Sequence, residues 1–163
     1  MYGEWLAAKH TYFYDALPHY FMEFDVLDTQ TNTFLSTDAR RELLSEVKVT
    51  PVLVLGSGNV HTLKELGSFV KRSNFITKDR AEHLKLAAMG AGVDVVTALA
   101  HTDMSDQMEG LYIKWEEDGV VKGRYKFVRE SFTSTIMDSE THWHDRPIIN
   151  NRLQPGALEL MFT

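Results

Sequence analysis

The chain has 163 residues, a formal net charge of -6 and no cysteine. This length suits one domain, and the absence of cysteine excludes a disulfide framework and thiolate chemistry and favours a reducing cytoplasm. No apolar run approaches the roughly 18 residues that a membrane-spanning helix needs, and the acidic balance argues against a protein that coats polyanions in general.

The first predicted elements are a strand and a capped helix. The run HYFMEFDVLD (19–28) is short, apolar and rich in aromatic residues, which predicts a strand, and residues 28–32 predict the turn that follows it. Ser36 or Thr37 has the side chain of a helix cap, and the run DARRELLSEV after it predicts the first helix.

The middle of the chain predicts one buried strand and then helices. PVLVL (51–55) is fully apolar, which is typical of a buried strand. The run TLKE that starts at Thr62 has the spacing of a capping box and predicts the start of a helix. A second helical region extends from about residue 78 to 100, with an interruption near the glycines at 90–92.

A late β-hairpin concentrates positive charge in this acidic chain. Its predicted strands are 109–115 and 120–129, and the acidic turn between them ends on a glycine. Arg124 and Lys126 point to the same side of the second strand. Like charges so close repel, which an anion such as phosphate between them would relieve, and a solvated cationic strand is the alternative. With this hairpin, strands and helices mix without a regular βαβ repeat, which predicts an α+β fold with a largely antiparallel sheet.

Three further side chains are candidates for binding. Glu109 stands at the end of an otherwise apolar strand face, where a carboxylate needs a partner such as a metal, a ribose hydroxyl or a base. Phe24 has the spacing of a core residue, although an aromatic ring can also stack on a purine base. Glu4 follows a glycine and, without further context, is one acid among many.

The tail sequence HWHD invites a metal interpretation, because alternate histidines on an extended segment can chelate. The chain has no cysteine, however, and no His/Glu pair at the helical spacing of zinc proteases. Contact of His142 or Arg146 with a nucleic-acid phosphate, or a packed loop, is preferred, and the role of His142 and His144 stays open. The sequence also contains neither a P-loop nor a Gly-x-Ser-x-Gly elbow.

Four short motifs follow one another in the order GEWL (3–6), YFMEFDVLD (20–28), EGLYIK (109–114) and GRYKFVR (123–129). They resemble motifs III, IIIa, IV and V of the RNA ligase family, in the superfamily of ATP-dependent covalent nucleotidyltransferases. The surrounding AKHTYFYDALPHYF and THWHDRPIINNRL resemble a bacterial and phage branch of that family. The resemblance covers most of the chain and is least diagnostic over 56–105.

This resemblance implies one nucleotidyltransferase domain over 1–163, of the ATP-grasp-like ligase type, with a helical insertion at about 60–105. It implies that RNA ends are joined in three steps. A lysine attacks the α-phosphate of ATP, AMP passes to a 5′-phosphate, and a 3′-hydroxyl displaces AMP. The implied cofactors are ATP and Mg²⁺ or Mn²⁺. The implied partners are RNA ends, among which nicked duplexes, single-stranded ends and DNA-containing strands are not distinguished.

The resemblance also implies roles for individual residues. Glu4 would contact the nucleotide sugar or a metal, Phe24 would stack on adenine, and Glu109 would bind the divalent metal. The cations expected to neutralise the α-phosphate are Lys126, Arg124 and, as a further candidate, Lys114. These roles agree with general chemistry, because fixed cations stabilise charge that develops on phosphate oxygens and Mg²⁺ prefers oxygen ligands.

One motif of the family has no counterpart in the sequence. The family's nucleophilic lysine stands in motif I, Lys-x-Asp/His-Gly, upstream of motif III, and neither Lys9 nor Lys78 is followed by the required glycine. We therefore expect a truncated or split gene product or a wrongly assigned start, with an upstream polypeptide as a partner that supplies motif I. The chain alone would then be inactive. The alternative function is a non-catalytic remnant that binds nucleotide or RNA.

Overall fold

The computed structural model describes residues 1–132 and 147–157. Its elements are β1 (Tyr2–Trp5), β2 (Phe21–Asp25), β3 (Leu27–Asp28), β4 (Thr33–Phe34), α1 (Thr37–Leu43), α2 (Leu63–Gly67), α3 (Arg80–Gly90), α4 (Val95–Ala100), β5 (Gly110–Glu117) and β6 (Val120–Val128). Strands β1–β2, β3–β4 and β5–β6 pair antiparallel, which confirms the α+β class. Within these described ranges, no helix is long and apolar enough to cross a lipid bilayer.

Strands β5 and β6 form the predicted hairpin. Asp118 and Gly119 at its tip have φ angles of 53° and 77°, the left-handed values that a tight two-residue turn requires and that an Asp-Gly pair adopts readily. The backbone N–H of Ser36 donates to the carbonyl of Gly119 at 2.9 Å. Glu116 accepts hydrogen bonds from the backbone N–H and the hydroxyl of Thr37 at 2.9 and 2.7 Å. The hairpin tip therefore anchors the beginning of α1.

Helices α1 and α2 begin at the predicted caps. The hydroxyl of Ser36 accepts the backbone N–H of Ala39, and the hydroxyl of Thr62 accepts that of Glu65 at 3.1 Å. The predicted break in the second helical region is also confirmed, because α3 ends at Gly90 and a separate helix follows.

The predicted strand at 51–55 is wrong beyond its first residues. The backbone of Glu23 in β2 bonds to the carbonyl of Thr50 and to the N–H of Val52, both at 2.8 Å. After this short pairing the chain leaves the sheet, and Leu53 is 56% exposed. The composition is that of a buried strand, but hydrophobicity alone does not show whether a neighbouring element covers the run.

Among the described residues, two apolar clusters contain side chains from the segment after β1. One cluster contains Phe13, Leu84, Ala88, Ala98 and Ile149 and joins this segment to α3, α4 and the 147–157 segment. The other contains Tyr12, Ile76 and Phe132, with Tyr14 and Val128 packed against it. Successive side chains of the segment thus enter different clusters, which fixes the position of Tyr14 beside the hairpin.

Candidate functional site

Glu109 is a half-buried carboxylate directly before β5. The hydroxyl of Tyr14 donates a hydrogen bond to Oε1 of Glu109 at 2.6 Å. Burial raises the pKa of Glu109, the hydrogen bond from Tyr14 acts in the opposite direction, and the carboxylate of Glu4 adds to the rise. Burial and the charge of Glu109 in turn raise the pKa of Tyr14 well above its ordinary value, so this phenol stays protonated and donates. Two carboxylates of like charge therefore interact at this place.

Lys126 is an exposed cation of β6 that acts on the same carboxylate. Its positive charge lowers the pKa of Glu109, against the effect of burial. The strand register pairs Lys126 with Tyr112 of β5. In the part of the chain that the structure describes, the ammonium group of Lys126 makes no hydrogen bond or ion pair. The charges of Glu4 and Lys126 therefore both act on the carboxylate of Glu109, with opposite effects on its pKa.

The other two predicted cations meet a different carboxylate, the fully buried Asp25 of β2. The ammonium of Lys114 lies 3.2 Å from Asp25 Oδ1 and donates to the carbonyl of Phe24 at 3.1 Å. The guanidinium of Arg124 lies 3.6 Å from Asp25 Oδ2 and is 43% exposed. A carboxylate of the chain itself therefore accompanies Arg124, so the closeness of Arg124 and Lys126 does not by itself require a bound anion.

Phe24 lies half-buried against Tyr112, with ring centroids 5.2 Å apart and planes tilted by 57°. The hydroxyl of Tyr112 donates to Asp25 at 2.6 Å, and its side chain is 45% exposed. Burial and this hydrogen bond raise the pKa of Tyr112 to about 12, so its hydroxyl stays protonated and anchored at neutral pH. Tyr112 was not among the predicted site residues, although strand alternation already placed it on the face of Lys114.

Cross-strand pairing places these groups on one face of the hairpin. Tyr112 pairs with Lys126, and the next pair on that face is Lys114 with Arg124. The face therefore carries an exposed cation and an aromatic surface, and the carboxylates that interact with Lys126 come from β1 and from the residue before β5. The predicted candidates His142, His144 and Arg146 lie outside the described residues.

The carboxylates near this face can be compared with the ligands that a divalent metal ion requires. Among residues 1–132 and 147–157, no group of three or more histidine, aspartate or glutamate side chains is arranged to hold a metal ion. Mg²⁺ usually keeps several waters and takes only one or two carboxylates from the protein. The carboxylates of Glu109 and Glu4 fit this requirement, because burial and, to a smaller extent, the charge of Glu4 raise the pKa of Glu109, and a bound cation would offset both effects.

Comparison with known proteins gives one result. The family model described as RNA ligase matches residues 1–128. No curated protein and no solved structure matches the chain. The matched range contains β1 to β6 and all of the interacting carboxylates and cations of the candidate site, whereas the described segment 147–157 lies outside it.

Proposed function

The chain belongs to the RNA ligase family, and we propose that it forms the nucleotide-binding part of an ATP-dependent RNA ligase. Such an enzyme seals RNA 5′-phosphate and 3′-hydroxyl ends through an adenylylated intermediate. The observation that carries the proposal is the group around half-buried Glu109 within the matched range: Glu109 accepts a hydrogen bond from Tyr14, and the charges of Glu4 and Lys126 act on its carboxylate. Two carboxylates beside an exposed cation suit a metal-bound nucleotide better than a general RNA surface, for which a broader cationic area is typical.

Each member of the group has a role in the proposal. When bound, ATP supplies the adenylyl group, and Mg²⁺ or Mn²⁺ screens the charge of its phosphates. Glu109 holds the metal, with Glu4 as the second carboxylate or as a contact to the nucleotide sugar. Lys126 is exposed, and its charge would stabilise the negative charge that develops on the α-phosphate during transfer.

The residues around Asp25 lie next to Lys126, because Tyr112, which donates to Asp25, is the cross-strand partner of Lys126. Phe24, together with Tyr112, offers an aromatic surface on which adenine stacks. Arg124 is partly exposed and adds a second cation beside Lys126. Lys114 is 11% exposed and forms an ion pair with Asp25 at 3.2 Å, which fixes β2 against the hairpin; it is the further candidate cation for the phosphate.

The attacking lysine is assigned to residues outside these 163, because no lysine in the sequence stands in a Lys-x-Asp/His-Gly motif. The proposed partners are RNA ends, including nicked duplexes, and a polypeptide that supplies this motif. Incubation of the chain alone with α-labelled ATP and Mg²⁺, followed by denaturing electrophoresis, is expected to leave the protein unlabelled. A covalent label would show that a lysine of this chain is the nucleophile.

Nucleotide binding tests the site directly. Replacement of Lys126 by alanine removes a charge-assisted contact to phosphate, which is worth about 1.5–3 kcal/mol, so ATP affinity should fall by at least about tenfold. Isothermal titration with ATP and Mg²⁺ measures this change. The control is Lys64→Ala, which removes an exposed lysine of α2 and should leave the affinity unchanged.

The outcomes separate the two candidate functions. Equal ATP affinity of Lys126→Ala and Lys64→Ala would contradict the assignment of Lys126 to phosphate. A wild-type chain that binds ATP but transfers no AMP in the presence of a polypeptide bearing motif I would favour the non-catalytic remnant. A chain that binds neither ATP nor RNA would contradict both functions.

A further inference from the structure

Tyr14 and Asn151 have none of the roles that the motifs imply, and hydrogen bonds link both to the surroundings of Glu109. We propose that Tyr14 is a positioning residue for Glu109 and that Asn151, which lies outside the range matched by the family model, holds Tyr14 and the strand of Glu4 in place. This inference rests on the proposed function, because it concerns the carboxylate that is assigned to the metal.

The contact between Tyr14 and Glu109 fixes one oxygen of the carboxylate. The phenol donates to Oε1 at 2.6 Å, across 95 residues of sequence. The ring of Tyr14 is itself confined, with centroid distances of 5.0 Å to Tyr12 and 6.2 Å to Phe75. This hydrogen bond restrains the position of Oε1 and narrows the range of orientations open to the carboxylate. Glu109 is therefore oriented before any cation arrives.

Asn151 connects this contact to the second carboxylate. Its side chain is buried, its Oδ1 accepts the backbone N–H of Tyr14 at 2.9 Å, and its Nδ2 donates to the carbonyl of Leu6 at 2.8 Å. Leu6 follows directly on β1, the strand that carries Glu4. One buried amide thus fixes the backbone on both sides of the carboxylate pair.

Residues that hold a metal ligand by hydrogen bonds usually change metal affinity by about 10- to 100-fold when they are removed. Tyr14 has the geometry for such an effect, because its ring is packed and its hydroxyl has one acceptor, Glu109. Loss of the hydroxyl alone leaves the packing of the ring in place. The Tyr14→Phe variant consequently separates orientation of the carboxylate from stability of the fold.

The experiment measures Mn²⁺ binding to the full chain by electron paramagnetic resonance of the free ion. Four proteins are compared: wild type, Tyr14→Phe, Glu109→Gln and Tyr12→Phe. Tyr12 is the matched control, because its buried hydroxyl donates to the carbonyl of Ser105 at 2.8 Å and not to Glu109. We expect Tyr14→Phe to weaken Mn²⁺ binding by about tenfold, Glu109→Gln to weaken it more, and Tyr12→Phe to leave it unchanged.

The results distinguish failure of this inference from failure of the proposed function. Wild-type affinity in Tyr14→Phe, with weakened binding in Glu109→Gln, would overturn the role of Tyr14 and leave the metal site intact. Equal losses in Tyr14→Phe and Tyr12→Phe would also overturn it, because they would indicate a general effect on packing. Unchanged binding in Glu109→Gln, or a wild-type chain that binds no Mn²⁺, would overturn the metal assignment and the inference with it.

Discussion

At the scale of single residues, Glu109 is a carboxylate in an unfavourable position. Burial and the neighbouring Glu4 raise its pKa, with the hydrogen bond from Tyr14 opposing them. A group whose folded-state pKa lies above its unfolded value contributes stability below the unfolded pKa and loses that contribution as pH rises through the folded pKa. Ionised Glu109 therefore opposes folding at neutral pH. Binding-site side chains commonly lower the stability of the fold in this way.

Glu109→Gln is expected to stabilise the metal-free chain at pH 7.5 by about 0.5–2 kcal/mol. Glutamine removes the charge but keeps an oxygen that accepts the hydrogen bond from Tyr14. The gain should disappear below about pH 4, where an ordinary glutamate with a pKa of about 4.3 is protonated in the unfolded chain as well. Thermal unfolding in EDTA at both pH values measures the effect. Glu42→Gln, at an exposed position of α1, should change neither value, and a less stable Glu109→Gln at pH 7.5 would contradict the prediction.

The sequence predicts the role of a single residue only where that residue belongs to a recognisable motif. The order of the motifs singled out Glu4, Glu109 and Lys126, and the charges of Glu4 and Lys126 both act on Glu109, although the roles of all three stay predictions. Tyr14 has no such signal, because its contact to Glu109 spans 95 residues and periodicity reports only on faces of one element. Lys114 shows the same limit, since its pairing with a buried acid depends on how β2 packs against the hairpin.

At the scale of elements, local chemistry predicted turns and caps well. The turn at the hairpin tip depends on the positive φ angles of one Asp-Gly pair. The starts of α1 and α2 depend on hydroxyls that accept a backbone N–H three residues later. These features involve only residues that are close in sequence, so the local sequence predicts them. The strand at 51–55 was wrong because its existence depends on a neighbour. Only its first residues find one, in β2. Element ends that depend on partners are therefore less predictable than ends that depend on caps.

Replacement by alanine should change the stability of the chain in opposite directions at two glycines. Gly119 has a φ of 77°, so alanine there is strained and should destabilise the chain by about 1–2 kcal/mol, although no atom lies within 4 Å of the added Cβ. Gly90 ends α3 without a positive φ and also has open space, so alanine should stabilise the chain by about 0.5–1 kcal/mol. Urea unfolding of both variants measures the difference. Changes of the same sign would contradict the assigned turn geometry.

At the scale of the whole molecule, stability depends on contacts between distant segments. The described strands form two-stranded sheets, and such pairs are marginal on their own in water. Buried polar groups bridge the segments instead, among them the ion pairs Glu23–Arg40 and Asp103–Arg129. Asn151 belongs to this set and lies in the described segment 147–157, which is outside the family match. Such bridges are invisible to sequence patterns, because their partners are more than a hundred residues apart in the case of Asn151.

Asn151→Ala is therefore expected to destabilise the chain by about 2–4 kcal/mol. The change leaves the backbone N–H of Tyr14 and the carbonyl of Leu6 without a side-chain partner, and each buried unpaired group costs about 1–3 kcal/mol. The matched control is Asn150→Ala, since Asn150 is exposed and pairs with Ala8 through its backbone, so its loss should cost no more than about 0.5 kcal/mol. Urea unfolding followed by tryptophan fluorescence compares the two. Equal stability of the Asn151→Ala and Asn150→Ala variants would show that the hydrogen bonds of the Asn151 side chain do not stabilise the fold. The positions of Glu4 and Tyr14 would then need another cause.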